Sequence, residues 1–141
     1  MITVTVQLEF CAAHRLVNYD GPCAHPHGHN YRVEIEVQGP LDERGFVADF
    51  GVVKAAYKTW VDAHWDHAFV LYDRDPVIVP LYAPGGPLAD MRHWCALWNP
   101  TAEHMAQHLR LLFPALVQVP GLVCAGVTVW ETDRAAARSE M

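Results

Sequence analysis

Four side chains able to ligate a metal or move a proton, Cys23, His25, His27 and His29, fall within GPCAHPHGHNY at residues 21–31. His27 and His29 are two apart, so on an extended chain both point to one side. They share odd parity with Tyr31, Val33, Ile35 and Val37, the apolar series of a strand expected over 29–38. His14 shares even parity with Ile2, Val4, Val6, Leu8 and Phe10, the apolar series of a strand expected over 2–10. Paired as a hairpin, the two strands would carry His14 to His27 and His29 over one face. Three neutral imidazoles leave a fourth position open for water or substrate, which is the ligand set of a catalytic zinc. A structural zinc would take four ligands and more cysteine. The His-x-His pair alone reads equally well as hydrogen-bonded or exposed histidines; His14 at matching parity favours the metal.

Cys23 lies four residues before His27, in a loop rather than a core. A thiol near a divalent cation has a lowered pKa and can serve as base or nucleophile. Cys11, Cys95 and Cys124 read as inert core thiols. Asp66-His67 could form a carboxylate-oriented acid/base pair, although the dipeptide alone is common. Glu131 continues the inward parity of Val123, Ala125, Val127 and Val129; a carboxylate there needs a partner, such as two N–H donors of a planar ligand, unless it is an exposed strand end. His104 and His108 have helical i,i+4 spacing, but without a glutamate placed as in HExxH they read as a solvated helix face. Lys54, Arg15 and Arg32 are candidate partners for an anionic substrate, and spacing does not choose among them.

The elements that must position these residues follow from periodicity. A turn is expected at 41–45. Asp49 can cap a helix bearing Phe50, Val53, Tyr57, Trp60, Val61 and His64 at helical spacing. Thr101 can cap a second, with Met105, Leu109 and Leu112 as its stripe and Pro114 as its stop. Residues 122–131 return to strand, and 133–141 read as a polar tail, a short strand or disorder. Residues 68–99, rich in Pro, Gly, Trp and Tyr, form either a lid or an element without a legible period. The order β-β-α-loop-α-β implies an α+β fold with an antiparallel sheet. A chain of 141 residues with 52% hydrophobic and 18% charged residues suits one domain over 1–141. A net charge of −6 argues against non-specific nucleic-acid binding. No apolar run reaches membrane-spanning length, the first residues lack signal-peptide character, and four cysteines without a CxxC pair read as reduced thiols in a cytoplasmic protein.

Five segments together, FCAAHRL (10–16), CAHPHGHNYRVEIEVQGPLDERGFVADFGVVK (23–54), WDHAFVL (65–71), PTAEHMAQHL (100–109) and VTVWET (127–132), resemble the 6-pyruvoyltetrahydropterin synthase / 6-carboxytetrahydropterin synthase family. The resemblance is greatest to the 6-carboxy branch of queuosine biosynthesis. It implies a tunnelling fold (T-fold): an antiparallel four-stranded sheet with two helices on one face, joined between subunits into an oligomeric β-barrel, usually trimers paired to hexamers. Sites in this family lie at subunit interfaces. The resemblance makes His14, His27 and His29 zinc ligands, Cys23 a catalytic thiolate, and Asp66 with His67 a second acid/base pair. It makes Glu131 the pterin anchor and places Thr101 and Glu103 in the pterin pocket. The implied substrate is 7,8-dihydroneopterin triphosphate. The implied product is 6-carboxytetrahydropterin with acetaldehyde and triphosphate released, or a 6-pyruvoyl product in the sister reaction. Two departures stand out. The segment of about 73–99 is a long inter-helix insertion whose His93, Trp94 and Trp98 could reshape or cover the site, and DRAAARSEM lacks the aromatic-containing last strand of the family.

Other readings fit less well. A cupin would place its next motif glycine later than Gly39 and would have strands where helices are expected at 50 and 101. A non-catalytic pterin- or metal-binding paralogue has no need of Cys23, Asp66 and His67 together. The folate-route variant carries an acid near the thiol, where this chain has Ala24, His25 and Pro26.

Overall fold

A computed structural model describes residues 1–141. Its core element is a hairpin of β1 (Thr3–His14) and β2 (His27–Gln38). The two pair antiparallel without interruption from Thr3↔Gln38 to His14↔His27. Alternation holds to the end of both strands, through the CAA stretch and Gly28, because the pairing is continuous. Phe10 and Tyr31 stack with ring centroids 4.9 Å apart in this hairpin.

Helices α1 (Phe50–His64) and α3 (Ala102–Leu116) cover one face of the sheet. Asp49 caps α1 by accepting from the Gly51 and Val52 N–H groups, and Thr101 caps α3 by accepting from His104 N–H. Val53, Tyr57 and Val61 of α1 and Met105, Leu109 and Phe113 of α3 are buried against Val33, Ile35 and their neighbours. The Tyr57 hydroxyl donates to the Leu109 carbonyl at 2.9 Å, tying the helices together. Pro114 does not stop α3, which continues to Leu116 and closes with Val117 N–H on the Phe113 carbonyl.

The sheet has six strands, where the resemblance implied four antiparallel ones, in the order β4 (His93–Ala96), β3 (Ala68–Tyr72), β1, β2, β5 (Val123–Thr132) and β6 (Ala135–Glu140). β5 pairs antiparallel with β2, and β6 pairs antiparallel with β5. β3 and β4 add in parallel on the other side of β1. β3 is a five-residue apolar run with no period to read, and β4 has only four residues. The 135–140 segment has little intrinsic strand preference and is extended because β5 offers it an edge. A register shift between Glu36 and Val37 turns Cys124 inward and leaves Val123 exposed, so inward parity begins only at Val127. The 73–99 insertion holds one short helix, α2 (Val79–Tyr82), besides β4. Its Trp94 and Trp98 pack with Trp65 and His108. That packing half-buries His108 and His104, which are not a solvated face.

Leu109→Ala, at a fully buried site, is expected to lower unfolding stability by about 3 kcal/mol in a denaturant titration. A loss below about 1 kcal/mol would show that α3 is not part of the core.

Candidate metal centre and proton-transfer residues

The hairpin register sets His14 directly opposite His27 and Ala12 opposite His29. The three imidazoles therefore meet at the end of the sheet, each offering a ring nitrogen within 4.8 Å of the others. His14 Nδ1 donates to the Pro100 carbonyl at 2.6 Å, and His27 Nδ1 donates to the His25 carbonyl at 2.7 Å. With both Nδ1–H groups used, the Nε2 lone pairs of His14 and His27 face each other at 3.1 Å. Two such lone pairs repel unless a cation sits between them. His29 Nε2 is buried and has no hydrogen-bond partner. An orphaned buried nitrogen beside two facing lone pairs fits a bound divalent ion, for which tetrahedral N···N separations are about 3.3 Å. The carbonyls of Pro100 and His25 are the outer partners that fix each tautomer. This gives His25 a role that its side chain does not suggest.

The electrostatics suit the same reading. Burial pushes the His14 pKa down to about 4, with the neighbouring His27 and His29 adding to the fall and the Pro100 carbonyl opposing it. Burial also lowers His29, against the pull of Glu131. Both imidazoles are neutral and ligand-ready near pH 7. Tyr31 lies beneath, its hydroxyl 3.3 Å from the His14 ring nitrogens. Glu131 sits beside the trio: its two oxygens lie 3.9 Å from His14 Nε2 and from His29 Nε2. Asn99 pins the segment before α3 to the end of β1 by bonding both the N–H and the carbonyl of Val17. Thr101 is spent on capping through its oxygen, and Glu103 stands exposed in the first turn of α3.

Asp66 and His67 occupy the turn between α1 and β3. His67 has φ +57, a left-handed conformation that is strained for a residue with a side chain. Its N–H is held by the Cys11 carbonyl at 2.7 Å. Asp66 Oδ2 accepts from His67 Nδ1 at 2.9 Å, and Asp66 Oδ1 accepts from Cys11 N–H at 3.1 Å. Burial works to raise the Asp66 carboxyl, but the hydrogen bonds from His67 and Cys11 outweigh it and hold it below the usual range. The pair holds the exposed His67 ring by Nδ1, with Nε2 lying 3.6 Å from the Cys11 thiol, the geometry of an oriented general acid/base. Arg92, from the insertion, donates to the carbonyls of Asp62 and Asp66 and braces this turn.

Cys23 stands on a separate brace. It lies half-buried in the single 3-10 turn Pro22–Ala24, whose Cys23 carbonyl accepts from Leu16 N–H at 2.8 Å. Arg15 donates to the Ala24 carbonyl at 3.0 Å and grips Asp75 with two hydrogen bonds of 2.7 and 2.9 Å. Arg15 is thus a structural clamp rather than a free anion site. Arg32 is likewise occupied, stacked over Trp130, while Lys54 is exposed. No hydrogen bond joins Cys23 to Asp66 or His67. The thiol in contact with that pair is Cys11, which is half-buried and not the inert core residue its sequence context suggested. A cavity of about 680 Å³ is lined by Cys11, His29, His67, Phe69, Tyr82 and Arg92.

A family model described as 6-pyruvoyl tetrahydropterin synthase matches residues 3–140. The chain is similar to the 6-carboxy-5,6,7,8-tetrahydropterin synthase of Rickettsia bellii, at 34% identity over 136 residues covering 94% of this chain and 95% of that one. It is also similar to a probable 6-carboxy-5,6,7,8-tetrahydropterin synthase of Halobacterium salinarum, at 39% identity over 126 residues, 89% of this chain and 77% of that one. Among solved structures, an uncharacterized protein from Wolinella succinogenes superposes with a TM-score of 0.86 at 22% identity, covering 99% of this chain and 97% of that one. The 6-pyruvoyl tetrahydropterin synthase of Caenorhabditis elegans superposes with a TM-score of 0.71, also at 22% identity, covering 99% and 95%. These two superpositions establish a shared fold.

The depressed His14 pKa has a pH signature in metal-stripped protein. A histidine titrating near 6.5 when unfolded and near 4 when folded leaves stability intact above pH 6.5. As pH falls from 6.5 to 4 it removes about 3 kcal/mol. Denaturant titrations of wild type and His14→Gln are expected to diverge across that window, with the variant flatter. Parallel profiles would contradict the burial argument.

Proposed function

We propose a reaction for this chain from one premise: it belongs to the 6-pyruvoyl tetrahydropterin synthase family. It is an enzyme of the pterin-synthase type. The specific reaction proposed is conversion of 7,8-dihydroneopterin triphosphate and water to 6-carboxy-5,6,7,8-tetrahydropterin, with release of acetaldehyde and triphosphate. The names of the curated relatives favour this outcome over the 6-pyruvoyl one. The observation that carries the metal requirement is the convergence of the Nε2 atoms of His14, His27 and His29, two facing and one orphaned.

Zinc held by that trio would act as a Lewis acid on the side-chain hydroxyls of the pterin. The remaining work falls to the chain's own groups. Cys23, held by the Arg15–Asp75 clamp, takes a proton from the side chain as a thiolate base. His67, oriented by Asp66 and braced by Arg92, gives and takes protons on the opposite side. Glu131 accepts from the ring N–H and amino group of the pterin, and its place beside the trio would hold the side chain at the metal. Thr101 and Glu103 line the pterin pocket at the start of α3. Within one chain Cys23 and the Asp66–His67 pair stand on separate braces, which supports a site completed between copies in a homo-oligomer, trimer-based and hexameric. Joining sheets into a barrel would also cover the free edges of β4 and β6. The product would feed 7-deazaguanine and queuosine synthesis in the cytoplasm. No helix is long and apolar enough to cross a membrane.

Two variants test these roles by zinc analysis and triphosphate release. Cys23→Ala is expected to keep zinc and lose at least about 100-fold in turnover, the scale of a positioned proton-transfer group. His27→Ala is expected to lose zinc and turnover together. Normal turnover by Cys23→Ala would remove the thiol from the mechanism.

A further inference from the structure

Cys11, Asp66 and His67 form a second cluster, on the far side of the sheet from the buried His14 ring. We propose that they bind a second zinc ion, and that its binding takes His67 out of proton transfer. The Cys11 thiol lies 3.6 Å from the ring nitrogens of His67 and 3.9 Å from Asp66 Oδ1. The three donor atoms lie within 4.8 Å of one another. Tetrahedral zinc with one sulfur and one nitrogen ligand sets them about 3.5 Å apart, so this cluster needs little movement to close on an ion. Thiolate, imidazole and carboxylate are all donors that zinc accepts, and the fourth position opens to solvent, because His67 is 72% exposed.

The cluster is held in place before any ion arrives. Asp66 Oδ1 receives the Cys11 N–H, while the Cys11 carbonyl receives the His67 N–H. These two bonds fix the spacing of Cys11 and His67 across β1 and the turn. The left-handed backbone of His67 brings its ring to the thiol. Nδ1 is committed to Asp66, leaving Nε2 to ligate. The nearby guanidinium of Arg92 is spent on the carbonyls of Asp62 and Asp66. Among the other thiols, Cys124 is buried beside the Gly126 carbonyl and Cys95 stands exposed on β4.

The metal site stands on this geometry alone; the inhibition rests on the role proposed above for Asp66 and His67. Equilibrium dialysis of the whole chain against zinc alone, with metal analysis, is expected to give two ions per chain for wild type and one for Cys11→Ser. Loading with cobalt is expected to give a near-ultraviolet thiolate-to-cobalt band that Cys23→Ser keeps and Cys11→Ser loses. Cys11→Ala repeats the test if the serine variant misfolds, and protection of Cys11 from alkylation by zinc in wild type requires no variant. A zinc count that Cys11→Ser leaves unchanged, or a band that survives Cys11→Ser, overturns the site. In turnover assays, excess zinc is expected to slow wild type at least tenfold and to have no such effect on Cys11→Ser. Equal slowing of both overturns the switch. Two metals and a Cys11-dependent band in a protein with no turnover would leave the site standing and defeat the proposed reaction instead.

Discussion

The β1–β2 pairing is the constraint on which the rest depends. A strand's side chains alternate with a period of two, so a slip of one residue would turn every buried residue of a strand outward. Here one register buries Phe10, Tyr31, Val33 and Ile35 under the helices and, at its far end, sets His14 against His27. The apolar burial that stabilises the sheet is thus the same event that brings the three imidazoles together. Burial disfavours the charged forms of His14 and His29, and the Nε2 atoms of His14 and His27 face each other. The core holds them in an arrangement that they would not choose without an ion.

Around this rigid end the chain supports its reactive groups from two sides, and the insertion between the helices serves both. Asp75 reaches back to Arg15 and, through it, to the turn carrying Cys23. Arg92 reaches the carbonyls at the end of α1 and secures the strained turn at His67. A strained left-handed residue persists only when its surroundings over-determine it. The insertion supplies that constraint, and its tryptophans pack with Trp65 and His108 rather than form a loose lid. A long segment without legible period therefore becomes two parallel strands, a short helix, a carboxylate that grips Arg15 and an arginine that grips backbone carbonyls.

Much of this was legible in the sequence. The parity of His14, His27 and His29 with their apolar neighbours placed them on one face, and the caps at Asp49 and Thr101 located both long helices. The unread parts have physical causes. β3 lacks alternation because both its faces are largely covered, and β6 is extended only because β5 pairs with it. The register shift opposite Val37 reversed the expected parity of Val123. Backbone partners such as the Pro100 and His25 carbonyls leave no mark in side-chain patterns. Nor does the pairing of Cys11 with residues 55 and 56 positions further along the chain. Arg15 read as a free cation because its partner, Asp75, lay in the unreadable segment.

On the proposed reaction, the histidine trio and the two braced groups, Cys23 and the Asp66–His67 pair, act on a pterin triphosphate side chain. The most direct test is mass spectrometry of the products formed when zinc-loaded protein meets 7,8-dihydroneopterin triphosphate. The expected products are 6-carboxytetrahydropterin with one equivalent each of acetaldehyde and triphosphate. A 6-pyruvoyl product would contradict the proposed cleavage while keeping the site. Unchanged substrate beside a zinc-filled trio would contradict the proposed reaction altogether.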